Sequence, residues 1–169
     1  MDLYLQVSLA SSKLLTKAYS TSFSLGIRTL DEKVHDPIYA IYGFVRLADE
    51  IVDTFHDQDK AALLQRFRED TYRAIEEKIS LNPILHSFQW AVNKFGMERE
   101  LIDAFLYSME LDLTKRDYNP EEYKQYIYGS AEVVGLMCLR VFCASNPSEY
   151  DTLKADACAL GSAFQKINF

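Results

Sequence analysis

The chain has 169 residues, of which 49% are hydrophobic, and this is enough apolar material for one globular domain over residues 1–169. Its formal net charge of -7 argues against a nucleic-acid partner, because binding to a phosphate backbone needs a surplus of Lys and Arg. No apolar run of roughly 18 residues occurs. We therefore expect a cytoplasmic protein, with peripheral membrane contact and oligomeric state left open.

Apolar residues recur at helical spacing along almost the whole chain, and Gly, Pro and Asp residues divide this pattern into successive segments. In chain order, the predicted helices cover residues 4–23, 37–52, 60–79, 83–95, 99–115, 120–143 and the segment that begins at Pro147. No strand-length alternation of apolar and polar residues interrupts them. The pattern predicts an all-α helical bundle with short loops.

A polar stripe runs along the second predicted helix. Its members are separated by four, three and four residues and therefore share one face: Tyr42, Arg46, Asp49 and Asp53. Carboxylates one turn apart suit Mg²⁺, which retains waters and is commonly shared with a substrate phosphate. Spacing alone leaves a second interpretation open, namely a solvated acidic face with an ion pair between Arg46 and Asp49.

Four segments resemble the phytoene/squalene synthase family, and they occur in the family's order. The run from Tyr39 to Asp53 is similar to the first aspartate-rich motif, and Tyr19–Phe23 is similar to the family's Ser-x-Ser-Phe segment. Tyr126–Gly135 resembles its helix of small residues, and Leu160–Phe169 resembles the run that leads into its second aspartate-rich motif. The resemblance implies an all-α bundle of the isoprenoid synthase type.

The resemblance also implies a reaction, the head-to-head condensation of two prenyl diphosphates. Our first choice is the joining of two geranylgeranyl diphosphates to phytoene through a cyclopropylcarbinyl diphosphate, a step of carotenoid biosynthesis. The tracts Met109–Tyr118 and Gly135–Leu139 look closest to carotenoid enzymes. Squalene or dehydrosqualene synthesis from farnesyl diphosphate stays open, as does a non-catalytic helical scaffold.

Residue roles follow from the same resemblance. Asp49 and Asp53 would hold Mg²⁺, or Mn²⁺ in its place, against the diphosphates, and Arg46 would be an oxygen partner. The implied substrate-binding residues are Ser20, Ser22, Phe23, Tyr42, Tyr128, Ala131, Val133, Gln165 and Asn168. Structural roles are the alternatives, because serines can cap helices, Phe23 can be core, small residues can serve close packing, and the two amides can pair.

The similarity ends at Phe169, before the Leu-Arg-Asp sequence and the further acidic residues of the family's second motif. In the family, that motif supplies the facing half of the metal site. We therefore expect a bundle that is incomplete at the C-terminus, and little or no turnover by these 169 residues alone.

Overall fold

The computed structural model describes residues 1–114 and 118–168, with the backbone only for Asn168. The helices are α1 Leu3–Tyr19, α2 Thr21–Arg28, α3 Glu32–Asp53, α4 Lys60–Glu77, α5 Pro83–Phe95, α6 Arg99–Thr114, α7 Pro120–Ile127, α8 Val133–Phe142 and α9 Ser148–Asn168. Between α7 and α8 the chain forms a π-helical turn over Tyr128–Glu132, which we call the π turn. These residues contain no β-strand, and the predicted all-α class is confirmed. None of the helices described is long and apolar enough to span a bilayer.

The first predicted helix, residues 4–23, is in fact two helices. Ser20 has extended backbone angles and ends α1, and its hydroxyl oxygen accepts a hydrogen bond of 3.1 Å from the backbone N–H of Phe23. Serine is a favoured residue at this capping position because its side chain satisfies an N–H that lacks a partner within the helix. The polar cap outweighs the continuous apolar spacing on which the prediction rested.

Helix α3 begins five residues earlier than the predicted start at Pro37. The side chain of Asp31 caps it by accepting a hydrogen bond of 2.9 Å from the N–H of Lys33. Pro37 lies in the second turn, where it removes one hydrogen-bond donor without ending the helix. The early start gives α3 22 residues, and its buried residues extend from Pro37 to Val52.

The core is centred on the aromatic ring of Phe44 in α3. Its ring lies 3.8 Å from that of Phe88 and 5.3 Å from those of Phe67 and Phe105, measured between centroids. These contacts join α3 to α4, α5 and α6, and α3 also packs against α1 and α8. Since the middle of α3 is fixed on every side, the positions of its last turns are determined by the core.

Candidate active site

A cavity of about 220 Å³ lies at the end of the bundle where α3, α6, the C-terminal part of α7, the π turn and α9 meet. Its lining combines apolar side chains with carboxyl, hydroxyl and amide groups: Val45, Asp49, Val52, Asp53, Met109, Asp112, Tyr126, Ser130 and Gln165. The apolar residues lie on α3 and α6, and the neutral polar groups lie on α7, the π turn and α9. The cavity can therefore contact a ligand that has both a charged and an apolar part.

Asp49 and Asp53, the pair predicted from the sequence stripe, both line this cavity. The pKa of Asp49 is raised to about 7, chiefly by burial; the guanidinium of Arg46 opposes the rise, and the nearby carboxylates of Asp53 and Asp112 add to it. Asp53 lies at the exposed end of α3. Near neutral pH the Asp49 carboxyl is thus balanced between its protonated and ionised forms, and a bound cation would favour the ionised form.

Arg46 is paired with Glu50, at 2.7 Å between nitrogen and oxygen, and does not form the Arg46–Asp49 ion pair that spacing had left open. Its guanidinium also lies 4.4 Å from the centroid of the Tyr19 ring. Both partners hold the side chain beside the cavity lining rather than within it. Helical geometry permits this pairing, because side chains three or four residues apart on a helix are close neighbours.

Asp112 on α6 is a cavity residue that the sequence analysis missed. It accepts hydrogen bonds from the hydroxyl groups of Tyr118, at 3.0 Å, and Tyr126, at 3.1 Å. Burial raises the pKa of Asp112, the two tyrosine hydroxyls oppose this, and the charge of Asp53 adds to it. A signal was available in the sequence, since Asp112 follows Phe105 and Met109 at helical spacing and so interrupts a buried apolar stripe.

The predicted substrate residues near α2 form a separate group. The ring of Phe23 stacks on that of Tyr42, with 4.6 Å between centroids, and 39% of Phe23 is exposed. Ser20 caps α2, as its structural interpretation allowed, and Ser22 is exposed. None of these four side chains is among those that line the acidic cavity.

The predicted residues of the π turn and its neighbours have different environments. Gln165 lines the cavity, whereas Tyr128 is 40% exposed and lies outside the lining. Val133 is fully buried in the hydrophobic core. The side chain of Asn168 lies outside the described residues. Among the three whose side chains are described, Gln165 is the one that lines the cavity with Asp49 and Asp53.

Small residues let the π turn approach its neighbours closely. A Cβ atom on Gly129 would lie 2.5 Å from the carbonyl oxygen of Ala104 in α6. A Cβ atom on Gly161 of α9 would lie 2.9 Å from the carbonyl oxygen of Ala131. Ala131 is therefore engaged in backbone contact with α9, which agrees with the close-packing interpretation of the small residues.

The donor set fits a shared magnesium ion better than a site built from protein ligands alone. Within the described part of the chain, no three His, Cys, Asp or Glu side chains converge closely enough to hold a metal ion. Mg²⁺ commonly takes one or two carboxylates and completes its coordination with waters and substrate phosphates. Asp49 and Asp53 at the cavity meet that requirement.

The all-α bundle and the paired aspartates at its cavity agree with the isoprenoid synthase type that the sequence resemblance implies. Residues 16–169 match the family described as Squalene/phytoene synthase, and the chain belongs to that family.

Individual relatives agree with this assignment. The chain is 34% identical over 159 residues to a phytoene synthase of Rhodobacter capsulatus, covering 91% of this chain and 45% of the relative. It is 34% identical over 154 residues to a presqualene diphosphate synthase of Sinorhizobium fredii, covering 89% of this chain and 53% of the relative. The chain thus spans about half the length of these curated relatives.

Solved structures support the fold. A dehydrosqualene synthase in complex with ligand superposes with a TM-score of 0.82 at 24% identity, over 97% of this chain and 56% of the other. The squalene synthase HpnC from Alicyclobacillus acidocaldarius gives a TM-score of 0.86 at 22% identity, over 99% of this chain and 62% of the other. The predicted isoprenoid synthase bundle is confirmed.

Proposed function

We propose that the chain carries the first aspartate-rich half of the active site of a head-to-head prenyl transferase, which joins two prenyl diphosphates. The observation that carries the proposal is the composition of the cavity. Asp49 and Asp53 project from the last turns of α3 beside the apolar side chains of Val45, Val52 and Met109. A prenyl diphosphate has the matching two parts, a charged head and an apolar tail.

Different residues of the cavity would contact the charged and the apolar part of such a substrate. Asp49 and Asp53 would hold Mg²⁺, or Mn²⁺ in its place. When bound, the metal neutralises the charge that develops on the departing diphosphate. The apolar residues exclude water from the allylic cation left behind, which water would otherwise convert into an alcohol. Arg46, which pairs with Glu50 beside the cavity lining, would keep positive charge near the diphosphate.

The preferred substrate is geranylgeranyl diphosphate, two molecules of which would give phytoene through a cyclopropylcarbinyl diphosphate. Supporting this choice are the carotenoid-like tract Met109–Tyr118 and the similarity to a relative named phytoene synthase. The alternative is farnesyl diphosphate, with a squalene-type product. It draws support from the equal identity to a relative named presqualene diphosphate synthase.

Binding measurements on the chain test the proposal. Thermal unfolding is followed with Mg²⁺ and a non-hydrolysable thiodiphosphate analogue of geranylgeranyl diphosphate, for the parent, Asp49→Asn and Asp53→Asn. We expect stabilisation of the parent that needs both metal and analogue, and loss of that response in both variants. Asp156→Asn, an exposed position on α9, removes the same charge and should respond like the parent.

The outcomes separate the candidates. A larger response to the farnesyl analogue than to the geranylgeranyl analogue would favour the squalene-type alternative. No response in the parent or in any variant would refute the enzymatic proposal and favour a helical scaffold. Equal responses of the parent and Asp49→Asn would show that the ligand binds elsewhere.

A further inference from the structure

The cavity presents two kinds of polar group to a ligand. The carboxylates of Asp49, Asp53 and Asp112 offer oxygen atoms, which suit a cation. A diphosphate is itself an anion and accepts hydrogen bonds, so that it needs donors from the protein. The Tyr126 hydroxyl donates to Asp112 at 3.1 Å, and that proton is already engaged. Ser130 also lines the cavity and carries a second hydroxyl group.

The Ser130 hydroxyl is buried and has no hydrogen-bond partner within the described part of the chain. Buried hydroxyl groups are nearly always paired, and one without a partner costs free energy. Because Ser130 also lines the acidic cavity, a group inside the cavity can complete its hydrogen bonding. The unused hydrogen bond is therefore available to a ligand.

The π turn explains why the side chain of Ser130 reaches the cavity. Gly129 presses against α6, where an added Cβ would lie 2.5 Å from the Ala104 carbonyl oxygen. Ala131 lies against α9, where a Cβ added to Gly161 would lie 2.9 Å from the Ala131 carbonyl oxygen. Ser130 stands between these two contacts, at the place where α6 and α9 border the cavity. Such wide turns are rare and are frequently found at functional sites.

We propose that the Ser130 hydroxyl donates a hydrogen bond to an oxygen of a diphosphate group bound in the acidic cavity. Ser130 is then a further substrate-binding residue, contributed by the π turn rather than by an aspartate-rich motif. This inference rests on the proposed function of the cavity. It assigns the cation to the α3 aspartates and part of the anion to the π turn.

Calorimetric titration tests the inference, with inorganic pyrophosphate in the presence of Mg²⁺ as the probe. Ser130→Ala should bind the probe about tenfold more weakly, since a hydrogen bond to a charged acceptor is lost. Ser130→Thr keeps a hydroxyl and should retain most of the affinity. Ser24→Ala is the matched control, because the Ser24 hydroxyl is also buried without a partner among the described residues but lies on α2, outside the cavity lining.

Circular dichroism and unfolding midpoints verify that each variant is folded. Both Ser→Ala variants should be at least as stable as the parent, because each removes an unpaired buried hydroxyl. Equal affinity of the parent and Ser130→Ala for the probe would overturn the role of Ser130, without contradicting the proposed role of the α3 aspartates. A parent that does not bind the probe at all would overturn the proposed function, and the inference with it.

Discussion

Replacing Asp49 by Asn should stabilise the metal-free chain while removing its response to magnesium. The carboxyl group of Asp49 has a pKa of about 7 in the folded chain, against 3.8 for an ordinary aspartate. Between these two values the folded state retains a proton that the unfolded chain has released. The free energy of unfolding therefore falls as the pH rises from about 4 to about 7.

The size of this effect follows from the pKa of Asp49. Its rise from 3.8 to about 7 corresponds to at most about 4 kcal/mol of destabilisation once the group ionises in both states. Because Asp49 is only partly buried, water reaching its carboxylate reduces the cost, and about 1 to 3 kcal/mol is the expected range. An amide at this position carries no charge, so the penalty disappears in Asp49→Asn.

Urea unfolding in the presence of a chelator measures the effect at pH 4.5 and at pH 8. The gain in unfolding free energy from Asp49→Asn should be larger at pH 8 than at pH 4.5, by about 1 to 3 kcal/mol. Asp53→Asn is the control, because Asp53 lies one turn after Asp49 and is exposed, so this variant removes the same charge from a position in contact with water. The reasoning is refuted if the gain is the same at both pH values, or if Asp53→Asn shows the larger pH dependence.

Two packing predictions follow. Gly129→Ala should lower the unfolding free energy by about 1 to 3 kcal/mol, because the new Cβ would lie 2.5 Å from the Ala104 carbonyl oxygen. In the control Gly26→Ala, the new Cβ meets open space within α2, and the free energy of unfolding should rise by up to about 1 kcal/mol. Equal effects of the two substitutions in urea unfolding would contradict close packing at the π turn. Phe44→Ala should cost about 3 to 5 kcal/mol, since the ring is fully buried. Phe142→Ala, 47% exposed, should cost far less, and similar losses would place the core elsewhere.

Local sequence patterns were sufficient for several features that depend on one helix. The spacing of Asp49 and Asp53 fixes them on one face of α3, and both line the cavity. Pro83, with Asn82 before it as a cap, marks the start of α5 as predicted, and Gly96 follows its last residue with a positive φ of 62°. Each of these signals acts within a few residues, so no knowledge of the tertiary fold is needed to interpret it.

Features that depend on contacts between helices were missed. The apolar stripe of α6 indicates that Asp112 is near the core, but its place in the cavity follows from how α6 packs beside α3. The π turn interrupts a segment that reads as one continuous helix, and it arises where Gly129 and Ala131 meet two other helices. The ion pair of Arg46 lies within α3 and was open for a different reason, since partners three and four residues away are both close on a helix.

Partial burial of the carboxyl groups explains both the free energy that the acidic cavity costs the folded state and its capacity to bind a cation. Asp49 directly follows Ala48, which is fully buried, and Asp112 directly follows Leu111, which is 7% exposed. The packing that anchors α3 and α6 thus also draws these carboxyl groups away from water, which raises their pKa values. The same partial loss of water strengthens the attraction between a carboxylate and a cation. If Asp49 and Asp112 were more exposed, they would destabilise the folded state less and attract a cation more weakly. The aromatic core around Phe44 offsets the free energy that their burial costs.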